Sequence, residues 1–467
     1  MDKVTCWVTI YGVPVFVVPH MGTGTLMSAP RHKMPVPTCF TQGMKCNLDG
    51  MAVSIIIVRY EVILDWFIIE KLWRNLMKRA LYLLVVLMLV LSISAAAMAE
   101  TVEEALQAAA SMSNEELYEK AKEEMAAGAQ MNFYSTTSFA EKAASNFMTD
   151  YPELANKVVY AEIDDGETYT ILTSTIGSGV KDSADMALVQ NGPDLKTYLL
   201  DEGLSYSYFP EAMKADVDEE NQDPAVVTFI NSLFIYHNGN GSINLTNVWQ
   251  LTEPEWNGKV FFKDPTKETV NLNFLMMLTS PEWSERLAKA YEDYYGKAFE
   301  AGEFKNAGYA WIDGFLKNVN YTYTSASKIA TGIASGNPGN LGLFVFSKLR
   351  KVDEADRGNL TVVQFENEVE GFSGFMYPVY ATVANDTDCP YTCALFINYL
   401  LSEAGFGGEK SWNSNQGYYS PNKTILKPEG LEDEAYEYWS TRLVFEDLDY
   451  IDENYADAYE FIAVRVG

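Results

Sequence analysis

Residues 130–163 read "QMNFYSTTSFAEKAASNFMTDYPELANKVVYAEI". The opening "QMNFYSTTS" is a short strand that runs into small hydroxyl residues. "SFAEKAASNFMTDYP" reads as a helix, and "NKVVYAEI" as a second strand. The same alternation continues along the chain. "ADMALVQNGPDL" (184–195) is a buried strand ending in a polar Gly-Pro turn. "SLFIYHN" (232–238), "KVFFKDP" (259–265), "LGLFVFSKLR" (341–350), "LTVVQFE" (360–366) and "GFMYPVYATVA" (374–384) are further strands. Between them, 269–299 is helix-rich and "YTCALFINYLLS" (391–402) is a helix with an apolar stripe. Upstream, 103–128 is helical: Ser113 with Glu116 forms a capping-box pattern, and Gly128 can end the helix. Strands alternating with helices predict an α/β fold whose sheets are covered on both faces. The acidic tail 430–467 carries enough Tyr, Trp and Phe to dock on that fold rather than stay disordered.

The N-terminal part has a different character. "MKRALYLLVVLMLVLSISAAAMAE" (77–100) combines a short basic start, an uncharged apolar run and the small-residue box Ala97-Met98-Ala99. That order is the secretory pattern, with an apolar run too short for a comfortable bilayer span. The reading is a signal peptide over 77–99, cleaved before Glu100, and an upstream leader over 1–76 that begins before the natural start. The leader has no clear strand or helix period. No cysteine adjoins the cleavage site, so no lipobox is present. The expected location is the periplasm or extracytoplasmic space.

The chain has 34 Lys+Arg and 64 Asp+Glu; residues 1–99 hold 9 and 5 of these, which leaves 100–467 at net −34. Such a surface repels nucleic acid and anionic headgroups. Past residue 99 the sole histidine is His237, which excludes paired-histidine zinc motifs. There is no G-x-S-x-G elbow and no P-loop, and the glycine-rich "SGNPGNLG" (335–342) lacks the lysine and the spacing of nucleotide loops. Carboxylates are too abundant for any pair to be informative. The residues therefore point away from an enzyme, and no cofactor is expected.

Cys389 and Cys393, in "DTDCPYTCALFINYLL", stand at i and i+4 where a helix begins at Pro390. Their Cα atoms would lie roughly 6 Å apart on a regular helix, near the upper range for a disulfide. In an exported protein this predicts a Cys389–Cys393 bridge; the alternative is two buried free thiols.

Six segments in order, 117–138, 184–195, 247–265, 339–350, 370–384 and 394–406, resemble the substrate-binding proteins of ABC importers, in the extracellular solute-binding group that includes ferric-iron-binding proteins. The resemblance implies a two-lobed periplasmic-binding-protein fold of type II with a hinged ligand cleft. It implies lobe 1 over 101–232 and 372–405, and lobe 2 over 233–371 and 406–467. It further implies a monomer that captures a small solute and passes it to the permease subunits of an ABC importer. Ligand-binding positions carried over are Ser135 and Thr136 at the end of the first strand and Gln190 and Asn191 after "MALV". Thr266 after "KDP", and Ser373 and Tyr377 at the return crossover, complete the set. One departure matters. The adjacent tyrosines with which ferric members hold iron are replaced by Leu343, Phe344 and Val345, so no metal site is assigned. A small polar or anionic solute, or a chelated metal, is the expected cargo. A free-ferric-iron binder and a secreted enzyme are the alternatives. Tyr294-Tyr295 and Tyr418-Tyr419 are adjacent pairs outside the motif.

Overall fold

The computed structural model describes residues 100–178, 184–408 and 410–466, together with Met77 and four short upstream strands. Residues 1–99 and 100–467 form separate units. In the first, Val8–Ile10 pairs with Val13–Val15, and Gly43–Leu48 with Met51–Ile56, both antiparallel. The signal peptide read over 77–99 lies outside the described residues except for Met77.

In the second unit, helices α1 (Val102–Ala109) and α2 (Asn114–Ala127) both start with capping boxes, Thr101 with Glu104 and Ser113 with Glu116. Gly128 closes α2 in the left-handed region at φ +109°, a conformation open to glycine. Then follow β1 (Met131–Ser135), α3 (Ser138–Asp150), β2 (Val158–Glu162), α4 (Asp165–Thr175), β3 (Met186–Val189) and β4 (Ser205–Tyr206). The long strand β5 (Val226–His237) leads to β6 (Val260–Phe261), α5 (Thr269–Met277), α6 (Pro281–Tyr295), α7 (Ala307–Asn318) and β7 (Val319–Asn320). After them come α8 (Ala326–Ala334), β8 (Leu341–Val345), β9 (Leu360–Val362) and a second long strand, β10 (Gly374–Ala384). Helix α9 (Pro390–Leu400), β11 (Tyr418–Tyr419), β12 (Val444–Phe445) and α10 (Leu448–Val466) complete the unit.

The strands run in the order β7-β6-β8-β5-β10-β3-β1-β2, with β9 and β11 on β5, and β4 and β12 on β10. Two parallel groups flank one antiparallel pair: β2-β1-β3 on one side and β7-β6-β8 on the other. Strand β5 pairs with β8 through Ser232–Tyr236 and with β10 through Val226–Leu233. Strand β10 then pairs with β3 through Tyr380–Val383. Every residue of both long strands is buried, as expected for strands covered on both faces. At Gly374, φ is +145° and a Cβ would lie 2.1 Å from the Ser232 carbonyl oxygen, so this crossing accepts only glycine.

Each group has its own packing. Phe396 of α9 meets Phe133 and Phe147 edge-on, both at 5.0 Å between ring centres. The α9 N-terminus is received by Glu124 of α2, which accepts from the Tyr391 and Thr392 N–H groups at 2.8 and 2.9 Å and the Thr392 hydroxyl at 2.7 Å. A carboxylate there satisfies donors that the helix cannot. On the other side, Trp311 stacks on Phe315 at 4.5 Å and Phe274 on Phe375 at 4.5 Å. The acidic tail is ordered: α10 buries Ile451, Ala458 and Ile462 and packs on α5 and α7.

The expected Cys389–Cys393 bridge is not formed: both are free, buried thiols. Cys393 N donates to the Cys389 carbonyl at 3.0 Å, so the pair spans one helical turn. Helical i,i+4 neighbours keep their Cβ atoms about 5–6 Å apart, whereas a disulfide draws them to about 3.8 Å. A hydrogen bond with Cys393, then burial, pushes the Cys389 thiol up; burial pushes up Cys393. Both are therefore poor nucleophiles. We expect a thiol reagent to find two thiols in unfolded 100–467 and neither, over the same time, in the folded form. An unfolded, unreduced chain with no reactive thiol would restore the bridge.

Candidate functional site

The strand ends carry the groups the sequence singled out. Ser135, fully buried at the end of β1, accepts from Thr137 N at 3.3 Å. Thr137, not Thr136, caps α3, with its hydroxyl accepting from Phe139 N. That frees the Thr136 side chain, which accepts from Gln190 Nε2 at 2.8 Å. The turn after β3 is held by Asp165 at the start of α4, whose Oδ2 accepts from Gln190 N and Asn191 N at 2.7 and 3.0 Å. Asn191 is committed to its own turn: Nδ2 donates to Asp194, Oδ1 accepts from Asp194 N, and its carbonyl accepts from Tyr169.

Thr266 donates to Asp264 Oδ1 at 2.6 Å and lies three residues before α5, which starts at Thr269 with Glu268 at the cap position. Tyr377, on β10, is buried between the two groups, where Tyr418, Glu268, Glu446 and Asp165 all act on it. The structure does not bring Ser373 to this group. Its hydroxyl donates to Gln364 Oε1 and its N–H to the Arg442 carbonyl, and it lines a separate cavity of about 250 Å³ with Arg286, Lys289, Glu370 and Arg442.

The segment after β8 brings residues the sequence reading passed over. Arg350 lays its guanidinium over the Phe139 ring at 4.6 Å, in the first turn of α3 on the opposite strand group. Its Nη1 donates to the Ser347 carbonyl and hydroxyl at 2.7 and 3.1 Å. Ser347 donates to Tyr418, whose ring meets Phe139 edge-on at 5.2 Å. Beside them stands half-buried Lys348, with no hydrogen bond or ion pair among the described residues. Lys263, at the end of β6, pairs with Glu268 at 2.6 Å. Burial first, then the charges of Arg350, Lys263 and Lys351, brings Lys348 down to about 8, against the opposing charge of Glu162. Lys263 is compensated by Glu268, but burial and the neighbouring cations disfavour the Lys348 ammonium, and an anion placed beside it would offset that cost. The N-terminus of α3, whose Phe139 and Ala140 N–H groups both bond to Thr137, adds the positive end of its dipole. The arrangement can hold an anionic group between the first turn of α3 and the 346–351 segment.

The tyrosine pair Tyr418-Tyr419 cannot close on one ion. Adjacent strand residues face opposite ways. Tyr418 meets Ser347 and Phe139, whereas Tyr419 donates to Asp433 at 2.6 Å and accepts from Asn231. Tyr294 and Tyr295 are exposed near the end of α6.

Against protein-family models the chain matches none, and against curated proteins it likewise matches none. Solved structures do match in shape. A Trichodesmium protein (IdiA, FutA), in complex with iron and citrate ligands, superposes at a TM-score of 0.51 with 13% identity, covering 72% of this chain and 99% of its own. Iron-bound HitA from Pseudomonas aeruginosa gives 0.51 at 17% identity, covering 72% and 99%. The periplasmic binding protein AfuA from Actinobacillus pleuropneumoniae, with exogenous fructose-6-phosphate bound, gives 0.51 at 14%, covering 73% and 98%. The likeness shows the fold: a two-lobed α/β architecture of the periplasmic-binding-protein type.

The site makes a pH signature. The unfolded chain holds the Lys348 proton up to the ordinary lysine value of about 10.4, while the fold releases it near 8. The unfolded state then binds more protons between those values, so the Lys348 contribution to ligand-free stability rises with pH across about 8 to 10. A bound anion favours the ammonium and reverses the shift. We expect anion affinity to fall as pH rises through about 8, with proton uptake on binding just above it. Calorimetric titration with inorganic phosphate in buffers of different ionisation heat reads both. Binding that takes up no proton between about pH 8 and 9 would contradict the assignment.

Proposed function

We propose that this protein is the extracytoplasmic solute-binding component of an ABC-type importer, capturing a small anionic or polar solute and delivering it to a membrane permease. The observation that carries the reading is Lys348, unpaired among the described residues and set beside Arg350, whose guanidinium lies over Phe139 of the opposite strand group. The neighbours' bound species, citrate with iron in one and fructose-6-phosphate in another, include anions, which agrees with a cationic cleft. We further propose lobe 1 over 101–232 and 372–405 and lobe 2 over 233–371 and 406–467. Supporting this division is the antiparallel pair β5 and β10, which alone joins the two parallel groups among the described strands. Crossovers of this kind permit hinge closure around a ligand. The protein acts as a monomer, is exported by the cleavable signal over 77–99, and turns nothing over.

Within the cleft, Thr136 and Gln190 act together and Tyr377 forms the floor, while Ser135, Asn191 and Thr266 shape the turns. Lys348 and Arg350 supply the charge. Lys348→Met removes a charge-assisted contact and should weaken binding of the anion that the protein prefers, out of a panel of phosphate, citrate and hexose phosphates, by about tenfold or more. The ligand-free form should melt no lower, because a desolvated charge is gone. Thr136→Ala should weaken binding several-fold with little effect on melting, since Thr137 does the capping. Affinities unchanged in both variants would remove the solute from this cleft.

A further inference from the structure

Next to the basic cluster lies a group of buried hydrogen-bond acceptors that no donor among the described residues satisfies. Asn273, in α5, is fully buried; its Nδ2 donates to Glu446 Oε1 at 3.4 Å, but its Oδ1 has no partner. Glu446, between β12 and α10, keeps Oε2 buried and unpartnered. Asp165 spends Oδ2 on the Gln190 and Asn191 N–H groups and leaves Oδ1 buried and unpartnered. These residues come from both strand groups and meet at one place. A Cβ on Gly192 would stand 2.4 Å from Leu448 and 2.7 Å from the Tyr380 ring, so the turn held by Asp165 is pressed against the segment that carries Glu446. Glu268 links this group to the basic cluster, because it holds Lys263 and its charge reaches Asp165 and Tyr377.

Buried polar atoms are nearly always paired, so three orphan acceptors in one place call for an explanation. All three accept when the two carboxyl groups are ionised. Two are carboxylates, whose burial pushes Asp165 up to about 7 and Glu446 up to about 8. A neutral hydroxyl could fill one hydrogen bond but would do nothing to favour the ionised carboxylates, which burial disfavours. A cationic donor does both, and it favours the ionised carboxylates. Tyr169 and Tyr380 border the same turn with aromatic surface, which suits a cation.

We propose that Asp165, Asn273 and Glu446 form a subsite for an ammonium group, so that the solute is amphoteric: an anionic head at Lys348 and Arg350, and a protonated amine against these acceptors. This rests on the solute-binding reading above. The test is calorimetric titration of the mature protein at pH 7 with alkylphosphonates and ω-aminoalkylphosphonates of matched length, two to five carbons. At one length the amino compound should bind at least about tenfold tighter than its alkyl partner, the equivalent of one charged hydrogen bond. Glu446→Gln should abolish that preference, keep the alkylphosphonate affinity, and melt higher without solute; Asp165→Asn serves as the second variant should Glu446→Gln misfold. If alkylphosphonates bind and no amino compound exceeds its partner, the subsite is overturned and the anion cleft stands. If neither series binds, both readings fall. An amino preference that persists in folded Glu446→Gln would also overturn the assignment.

Discussion

The antiparallel ladder between β5 and β10 is the constraint on which everything else rests. Both strands are buried along their whole length, and each serves both halves of the molecule. One end of β5 carries β8, and one end of β10 carries β3. The turns after β1, β3, β6 and β8 can meet only because this shared pair holds the two parallel groups in one sheet. The demand is felt at single residues. Gly374 sits where the Ser232 carbonyl would collide with any Cβ, so a side chain there would push the crossing strands apart.

From that frame the chemistry follows as a problem of charge. Residues 100–467 are heavily acidic, yet the strand ends gather Lys263, Lys348 and Arg350. Arg350 is held by Ser347 and by the face of Phe139, and Lys263 by Glu268, so neither is free to swing away. Lys348 alone has nothing to pair with among the described residues. A fold that buries an unpaired ammonium gives up stability, and such strain is characteristic of a place where a ligand supplies what is missing. The orphan acceptors of Asp165, Asn273 and Glu446 repeat the pattern with the sign reversed.

Much of this fold was legible in the sequence because its signals are local. The capping boxes at Ser113 and Glu116, the break at Gly128 and the apolar strands of "MALV" and "LGLFV" need only nearby residues. Helix α4 went unread because "DGETYTILTST" is rich in β-branched residues, and packing rather than propensity makes it helical. Helix α7 also went unread: Trp311 and Phe315 stack on each other within it, but their burial rests on Phe372 and Phe262, which only the tertiary structure brings close. Of the proposed site, Thr136 and Gln190 were carried over from the resemblance as strand-end residues, and the structure sets them in direct contact. Thr266 and Asn191 were readable as turn formers, but their hydrogen bonds close on themselves. Lys348 was missed because a lysine after a strand reads as solvated. Asp165 and Glu446 were missed because 59 carboxylates hide any two. The one available cue was "SKLRK" (347–351), a basic run in a chain that can ill spare it.

The central claim is that unpaired Lys348 waits for an anionic solute in the cleft between the strand groups. Native mass spectrometry of the protein purified from its own cell envelope, beside a Lys348→Met variant prepared in the same way, tests it most directly. The account predicts a small-molecule adduct of fixed mass on the wild-type chain, lost under mild activation and missing from the variant. An adduct of equal occupancy on both chains, or a wild-type chain that carries none, would contradict it.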